Sequence, residues 1–265
     1  MHIQDLHTHS LYDDGAASLR DMAQAAVSSG LSSFGFSGHS HLPGEFWTMP
    51  EEKLADYFRE ARQLQAEYRG RLSIFCGLEW DVGSPLPEQE TDYMIGSVHR
   101  LQAADDVFNV DHTAEALAEG VERLFGGDRC AAEEAYYKSF LPLLGNPRVS
   151  IVGHFDLISK FDENHELYRE APDCALEMMQ KLVTDGKIFE VNTGAISRGY
   201  RITPYLSGKL LGALHEMGGK VTLSSDSHNT NTLSFGFDDA IRRLKAYGFS
   251  EIWILTHQGF APEAL

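Results

Sequence analysis

Asp5-Leu6-His7-Thr8-His9 near the start of the chain and Ser224-Ser225-Asp226-Ser227-His228 near its end each read as an apolar strand running out into metal-ligand residues. Between them, other short apolar runs end on His39, Glu79, His99 and His154. Alternate residues of a strand share a face, so His7 and His9 project together, and Asp226 and His228 repeat the arrangement. One histidine at a strand end is ordinarily a polar residue leaving the core. A series in the same structural place indicates ligands converging on one rim of a barrel. Imidazoles mixed with carboxylates suit zinc, manganese or iron rather than calcium.

Working outward, strands are expected at Ile3 to His9, Phe34 to His39, Leu72 to Glu79, Tyr93 to His99, Val149 to His154, Ile188 to Asn192 and Lys220 to Ser225. Helices alternate with them. Ser18 is a good N-cap for a helix that stops at Gly30, and Pro50 opens a long one ending near Gly70. Further helices are expected at Pro172 to Thr184, Tyr205 to Met217 and Phe237 to Tyr247. Glu251 to Leu255 reads as a closing or edge strand. The link bearing Pro85 and Pro87 is too short for a crossover helix, so one unit of a regular repeat is missing there. Residues 100–147 break the rhythm with two helical stretches, Thr113 to Leu124 and Ala131 to Leu144, parted by Gly126-Gly127. They read as an insertion over one side of the barrel mouth. Alternating strands and helices predict a largely parallel sheet. About seven strands and no repeats or low-complexity linkers favour one α/β barrel domain over residues 1–265.

The 265 residues could form two small domains or one barrel. A formal charge of −17 argues against non-specific nucleic-acid binding. It also fits a phosphorylated substrate badly unless bound divalent cations reverse the field within the site. Cys76, Cys130 and Cys174 are isolated and odd in number, which fits a reduced, cytoplasmic setting, with Cys76 a core residue. No signal peptide is read at the start and no apolar run approaches the ~20 residues that span a bilayer. No phosphate-binding glycine loop competes for a nucleotide role.

The ordered set of segments resembles the PHP (polymerase and histidinol phosphatase) family, and within it the monofunctional histidinol-phosphate phosphatases. The likeness rests on Asp5-Leu6-His7-Thr8-His9-Ser10, Gly35-Phe36-Ser37-Gly38-His39-Ser40, Gly77-Leu78-Glu79-Trp80-Asp81, Gly96-Ser97-Val98-His99, Gly153-His154-Phe155-Asp156, Glu190-Val191-Asn192-Thr193-Gly194 and Ser224 to His228. The resemblance implies a distorted (β/α)7 barrel and a trinuclear site. It assigns one metal to His7, His9, Glu79 and Asp226, and a second to Glu79, His99 and His154. A third falls to His39, His228 and a loop ligand, Asp14 in preference to Asp13. Gly38, where relatives often have aspartate, and His41, where proline is common, depart from the pattern. Arg198 and Lys160 match basic residues that contact phosphate in the histidinol phosphatases.

The implied chemistry is hydrolysis of L-histidinol phosphate to L-histidinol and inorganic phosphate, by attack of a metal-bridging hydroxide. Glu79 and Asp226 would hold the metals, with Arg198, Lys160 and His41 on the phosphate and His41 a candidate acid. Asp81, Glu45, Phe46, Trp47 and Glu163 are candidates for the leaving group. A PHP phosphoesterase acting on a nucleotide or another small ester is the alternative, and a non-catalytic metal-binding module a further one. His2, His112, His165, His215 and His257 fall outside the pattern and read as ordinary surface or helix residues. Oligomeric state is not legible.

Overall fold

The computed structural model of the chain describes residues 3–103, 106–161 and 171–265. Seven parallel strands carry it: β1 (Gln4–Asp5), β2 (Ser33–Phe36), β3 (Ser73–Asp81), β4 (Tyr93–Ser97), β7 (Ile151–Val152), β8 (Ile188–Asn192) and β9 (Lys220–Ser224). They lie side by side in chain order. The first and last edges meet at a parallel bridge between Thr8 and Ser227. There His9 N–H donates to the Ser227 carbonyl at 2.9 Å and Ser227 N–H to the His7 carbonyl at 3.1 Å. The sheet is thus a nearly closed barrel, irregular at β1 and β7, where only two residues keep regular pairing.

Helices α1 (Leu19–Ser28), α2 (Leu54–Glu67), α5 (Asp173–Thr184), α7 (Gly208–Glu216) and α8 (Phe237–Ala246) flank it, and α6 (Gly194–Ser197) is a single turn after β8. Ser18 caps α1 as expected, its side chain accepting from Asp21 N–H. A 3-10 turn, Glu51–Lys53, comes between Pro50 and α2. No crossover helix joins β3 to β4.

Three sequence expectations change. The insertion holds α3 (Ala114–Phe125) and α4 (Arg129–Lys138), but it begins with an antiparallel hairpin, β5 (Arg100–Ala103) and β6 (Asp106–Asn109). The run expected as helix from Tyr205 starts only at Gly208, because Tyr205 pairs with Asn192 through two backbone hydrogen bonds. Glu251–Thr256 (β10) is not a barrel strand. It pairs antiparallel with β11 (Gly259–Ala264), and the Gln4 side chain ties it to the barrel. The Gln4 amide donates to the Leu255 carbonyl at 2.9 Å and accepts from Leu255 N–H at 2.7 Å.

The alternation of β3 sets the two cores and the site together. Ile74, Cys76, Leu78 and Trp80 pack outward against the helices, in the large cluster that includes Tyr57, Phe58 and Leu64. Phe75 faces inward, with Leu6, Tyr93, Ile95, Ile151 and Leu255 filling the bottom of the barrel. Cys76 is buried as expected, and burial pushes its thiol up to about 12. Two residues above Phe75, a Cβ on Gly77 would lie 2.4 Å from carbons of the Tyr93 ring. The Tyr93 hydroxyl is held within 2.5 Å of the Leu6 carbonyl, so the ring has no easy retreat. Gly77→Ala is therefore expected to cost about 1–3 kcal/mol by overpacking. At this chain length each kcal/mol lowers the melting temperature by roughly 2–4 °C. Thermal unfolding followed by circular dichroism checks this, and an unchanged midpoint would show that the ring can move aside.

Above Gly77 the same inward column continues with Glu79 and Asp81, which stand at the upper end of the barrel. Among the described residues no helix is long and apolar enough to cross a membrane.

Candidate metal centre

Glu79 sits at the centre of five imidazoles. It is fully buried, and its two oxygens face different sets of rings. Oε2 lies 3.1 Å from His7 Nε2, 3.6 Å from His9 Nε2 and 2.9 Å from His39 Nδ1. Oε1 accepts from the Ser97 hydroxyl at 2.5 Å and lies 2.9 Å from His154 Nε2 and 3.7 Å from His99 Nε2. His7, His9 and His39 come from strand ends or just beyond them, and Asp226 and His228 follow β9. The Asp226 backbone has φ +49°, a conformation rarely taken by a non-glycine residue and concentrated at functional sites.

Carboxylates fix which ring nitrogens point inward. His7 Nδ1 is 2.7 Å from Glu190 Oε1, His9 Nδ1 2.7 Å from Asp13 Oδ2, and His99 Nδ1 2.6 Å from Asp81 Oδ2. An ionised carboxylate can only accept, so each Nδ1 carries its proton and each Nε2 turns its lone pair to the centre. His7 Nε2, His9 Nε2, His39 Nδ1 and Glu79 Oε2 are all buried and none makes a hydrogen bond. Buried polar atoms are ordinarily satisfied. Four that converge unsatisfied on one point have the arrangement of ligands, and imidazole with carboxylate is the donor chemistry of zinc, manganese or iron.

The electrostatics agree. Burial disfavours charge on His7, yet Glu190, Glu79 and Asp226 outweigh it and raise its pKa well above the ordinary histidine value. His9, opposed by burial but favoured by Asp13, is raised to about 10. His99, likewise buried but beside Glu79 and Asp81, rises to about 9. Burial opposes the charge on Glu79 and Asp226 too. The surrounding rings for Glu79, and Arg198 with His7 for Asp226, hold both well below the usual carboxylate range. His228 is lowered, by burial and by the charge of His9. A field that favours extra protons on these rings also favours divalent cations among them.

Ligand atoms of four groups each fall within 4.8 Å of one another: His7, His9 and Glu79; His7, His154 and Asp226; His39, Glu79 and His99; and His9, Asp14, His39 and His228. The structure thus brings together all nine residues expected as ligands. In the last group Asp14 Oδ1 is 3.2 Å from His228 Nε2 and 3.8 Å from His39 Nε2. Asp13 spends both oxygens on hydrogen bonds to Ser10, His9 and His39.

A cavity of about 400 Å³ opens over the nest, lined by Asp14, His39, His99, His154, Asp226 and His228. A larger one of about 690 Å³, between α4 and α5, shares none of these residues. Lys160 and Arg198 both line the cavity over the nest. Lys160 Nζ donates to the Asp111 carbonyl at 2.7 Å and lies 4.7 Å above the Tyr200 ring. Arg198 Nη2 donates to Asp226 Oδ2 at 3.0 Å and Nη1 to the Asp226 carbonyl at 3.0 Å; His228 Nδ1 lies 3.0 Å from the same carbonyl and 3.1 Å from Nη1. Its path is open because residue 194 is glycine: a Cβ there would lie 2.8 Å from Asp226 Cβ and 3.0 Å from Arg198 Nη2.

His41 lies apart from the nest. Its Nδ1 donates to the Met49 carbonyl at 3.1 Å and its side chain is not among those lining the cavity, because the loop after β2 folds back on itself there. Asp81 is committed to His99. Glu45 is committed to Trp47 Nε1, to Arg100 and to Asn109. Phe46 and Trp47 line the cavity, the Trp47 ring 4.7 Å from His39 and 5.1 Å from His99. Glu163, His2 and His165 lie outside the described residues. His112, read as an ordinary residue, lines the cavity with Asn109 and Asp111. Sequence reasoning also passed over Glu190, although a carboxylate within the apolar run Ile188-Phe189-Glu190-Val191 was a signal.

A PHP domain model matches residues 5–194. A probable histidinol-phosphatase of Deinococcus radiodurans is 31% identical over 92% of this chain and 93% of its own length. One of Schizosaccharomyces pombe is 28% identical over 94% and 88%. The crystal structure of the Lactococcus lactis histidinol phosphate phosphatase, complexed with zinc, L-histidinol and phosphate, has the same fold. Its TM-score is 0.72 at 24% identity, covering 98% of this chain and 99% of that one.

Proposed function

Since the chain belongs to the PHP domain family, we propose that it is a metal-dependent phosphomonoesterase that hydrolyses L-histidinol phosphate to L-histidinol and inorganic phosphate. Residues 1–265 act as one domain in this reading, with the insertion after β4 forming one side of the mouth. The observation that carries it is the split environment of Glu79, one oxygen to each of two ring sets, with buried ring nitrogens that no hydrogen bond satisfies.

The phosphate monoester dianion resists nucleophiles, and its uncatalysed hydrolysis is among the slowest of reactions. Bound divalent cations would supply positive charge on the phosphoryl oxygens and water acidic enough to attack at neutral pH. His7, His9, Glu79 and Asp226 would hold one cation and Glu79, His99 and His154 a second. Asp14, His39 and His228 would hold a third. Glu190, Asp13 and Asp81 keep the rings in the tautomer that can bind. Arg198 and Lys160, both on the cavity wall, would take the outer phosphate oxygens, the guanidinium with paired donors. The leaving group extends toward Phe46, Trp47, Asn109 and Asp111, where aromatic and acidic groups suit an imidazole and an ammonium.

Treating the purified chain with a chelator is expected to abolish phosphate release from L-histidinol phosphate, and manganese, zinc or iron to restore it. A panel of phosphomonoesters that includes nucleotides should give the highest kcat/KM for L-histidinol phosphate. Preference for a nucleotide would move the substrate assignment, and stoichiometric metal without any phosphate release would overturn the catalytic reading.

A further inference from the structure

We propose that Asp13 positions two rings of the metal nest at once, and that its carboxylate fills space which a side chain longer than a methyl on residue 38 would contest. The proposal rests on the metal-binding reading above. Asp13 belongs to a tight turn in which Asp13 N–H and Gly15 N–H both donate to the Ser10 carbonyl, at 3.1 and 2.9 Å. A Cβ on Gly15 would lie 2.3 Å from Ser10 N, so the turn is packed onto its own beginning. Asp13 Oδ1 is tied to that turn, accepting from Ser10 N–H at 2.9 Å and from its hydroxyl at 3.4 Å. Oδ2 reaches across to the nest. It accepts from His9 Nδ1 at 2.7 Å and from His39 N–H at 2.9 Å.

The first bond turns His9 Nε2 toward Asp226 Oδ1, 3.3 Å away. The second fixes the backbone from which His39 Nδ1 reaches Glu79. One fully buried side chain therefore sets two ligand rings whose centroids are 4.3 Å apart. All four donors around it demand a carboxylate, since an amide would turn its own N–H groups against some of them.

Gly38 does not have a left-handed backbone, so conformation does not require glycine there. A Cβ there would touch the Asp13 carboxylate, 3.4 Å from Cγ and Oδ1, and press on the tip of Met49 at 3.1 Å from Cε, so a longer side chain would compete with the carboxylate for space. A carboxylate carried on residue 38 would enter the region that the Asp13 carboxylate fills. The two positions are thus alternatives for one buried anion, of which this chain uses the turn.

Zinc affinity of the full chain, measured by competition with a chromophoric chelator, tests this alongside thermal unfolding. Asp13→Asn and Asp13→Ser are each expected to weaken zinc binding about 10–100-fold, the usual effect of removing a partner of a ligating histidine. Gly38→Asp alone also weakens it, because two carboxylates would crowd one site. The double variant Asp13→Ser/Gly38→Asp is expected to bind zinc at least about tenfold more tightly than Asp13→Ser, a reversal of sign that only directly coupled positions produce. Wild-type zinc affinity in Asp13→Asn overturns the positioning role, and so decides the matter even if Asp13→Ser fails to fold. A double variant no tighter than Asp13→Ser overturns the role of Gly38. A wild-type chain that takes up no zinc, manganese or iron sinks the metal reading itself, and this proposal with it.

Discussion

Glu79→Gln is expected to reduce phosphate release from L-histidinol phosphate by on the order of 10³-fold while the chain remains folded. Glutamine keeps the volume of glutamate, and one of its amide groups can still meet the Ser97 hydroxyl. It cannot serve both sides of the nest. If the amide oxygen faces His7, His9 and His39, the amide nitrogen faces His154 and His99, and the reverse holds when it flips. Either way one ring set loses its shared anion, and with it the charge that draws cations into the barrel. Metal content should fall with activity, and circular dichroism should stay that of the wild type. Near-normal turnover at unchanged metal content would remove Glu79 from the mechanism.

The prominence of Glu79 was legible in the sequence because the period of a strand is fixed. Phe75, Gly77, Glu79 and Asp81 alternate with Ile74, Cys76, Leu78 and Trp80, so one carboxylate facing inward at the strand end implies the whole column. The series of strand-end residues was legible for the same reason, and so was the parallel barrel. Asp81 could have been placed on the ring side by this rule, yet its partner His99 stands just beyond the end of the neighbouring strand and the pairing register is not written locally. Glu190 shows the limit more sharply. Its place among apolar residues marked it as a buried acid needing a partner, but that partner, His7, is on the other side of the chain's closing seam.

The departures in the fold have similar causes. The β5–β6 hairpin is built from residues such as Arg100, Gln102, Asp106 and Asn109, whose polarity hides strand periodicity. β10 has the composition of a barrel strand, but the Gln4 side chain takes up the backbone groups of Leu255 and leaves the strand free to pair with β11. His41 was a candidate acid as a departure from the family pattern at the mouth. The strand ends at Phe36, so strand alternation no longer governs where the His41 ring points.

Arg198→Ala is expected to lower kcat/KM by about 10²–10³-fold, with losses in two separable measurements. The guanidinium lines the cavity, yet two of its donors are already spent on the carbonyl and carboxylate of Asp226. It therefore has two tasks. It braces the residues after β9, keeping Asp226 Oδ1 turned toward His9 and His7 while Oδ2 is held from behind. It also presents its remaining N–H groups and its charge to an anion over the nest. Loss of the brace should weaken zinc or manganese binding about 10–100-fold, as removal of an outer partner ordinarily does. Loss of the anion contact should raise KM and weaken inhibition by inorganic phosphate even when metal is saturating. Arg198→Lys separates the two, because an ammonium restores charge but cannot span the Asp226 carboxylate and carbonyl together. Phosphate inhibition should recover in part in the lysine variant, while metal affinity should not. If Arg198→Ala keeps both wild-type metal affinity and wild-type phosphate inhibition, Arg198 has neither task. If it loses metal affinity alone, the guanidinium is a brace, and the phosphate oxygens must be met by Lys160 and the metals.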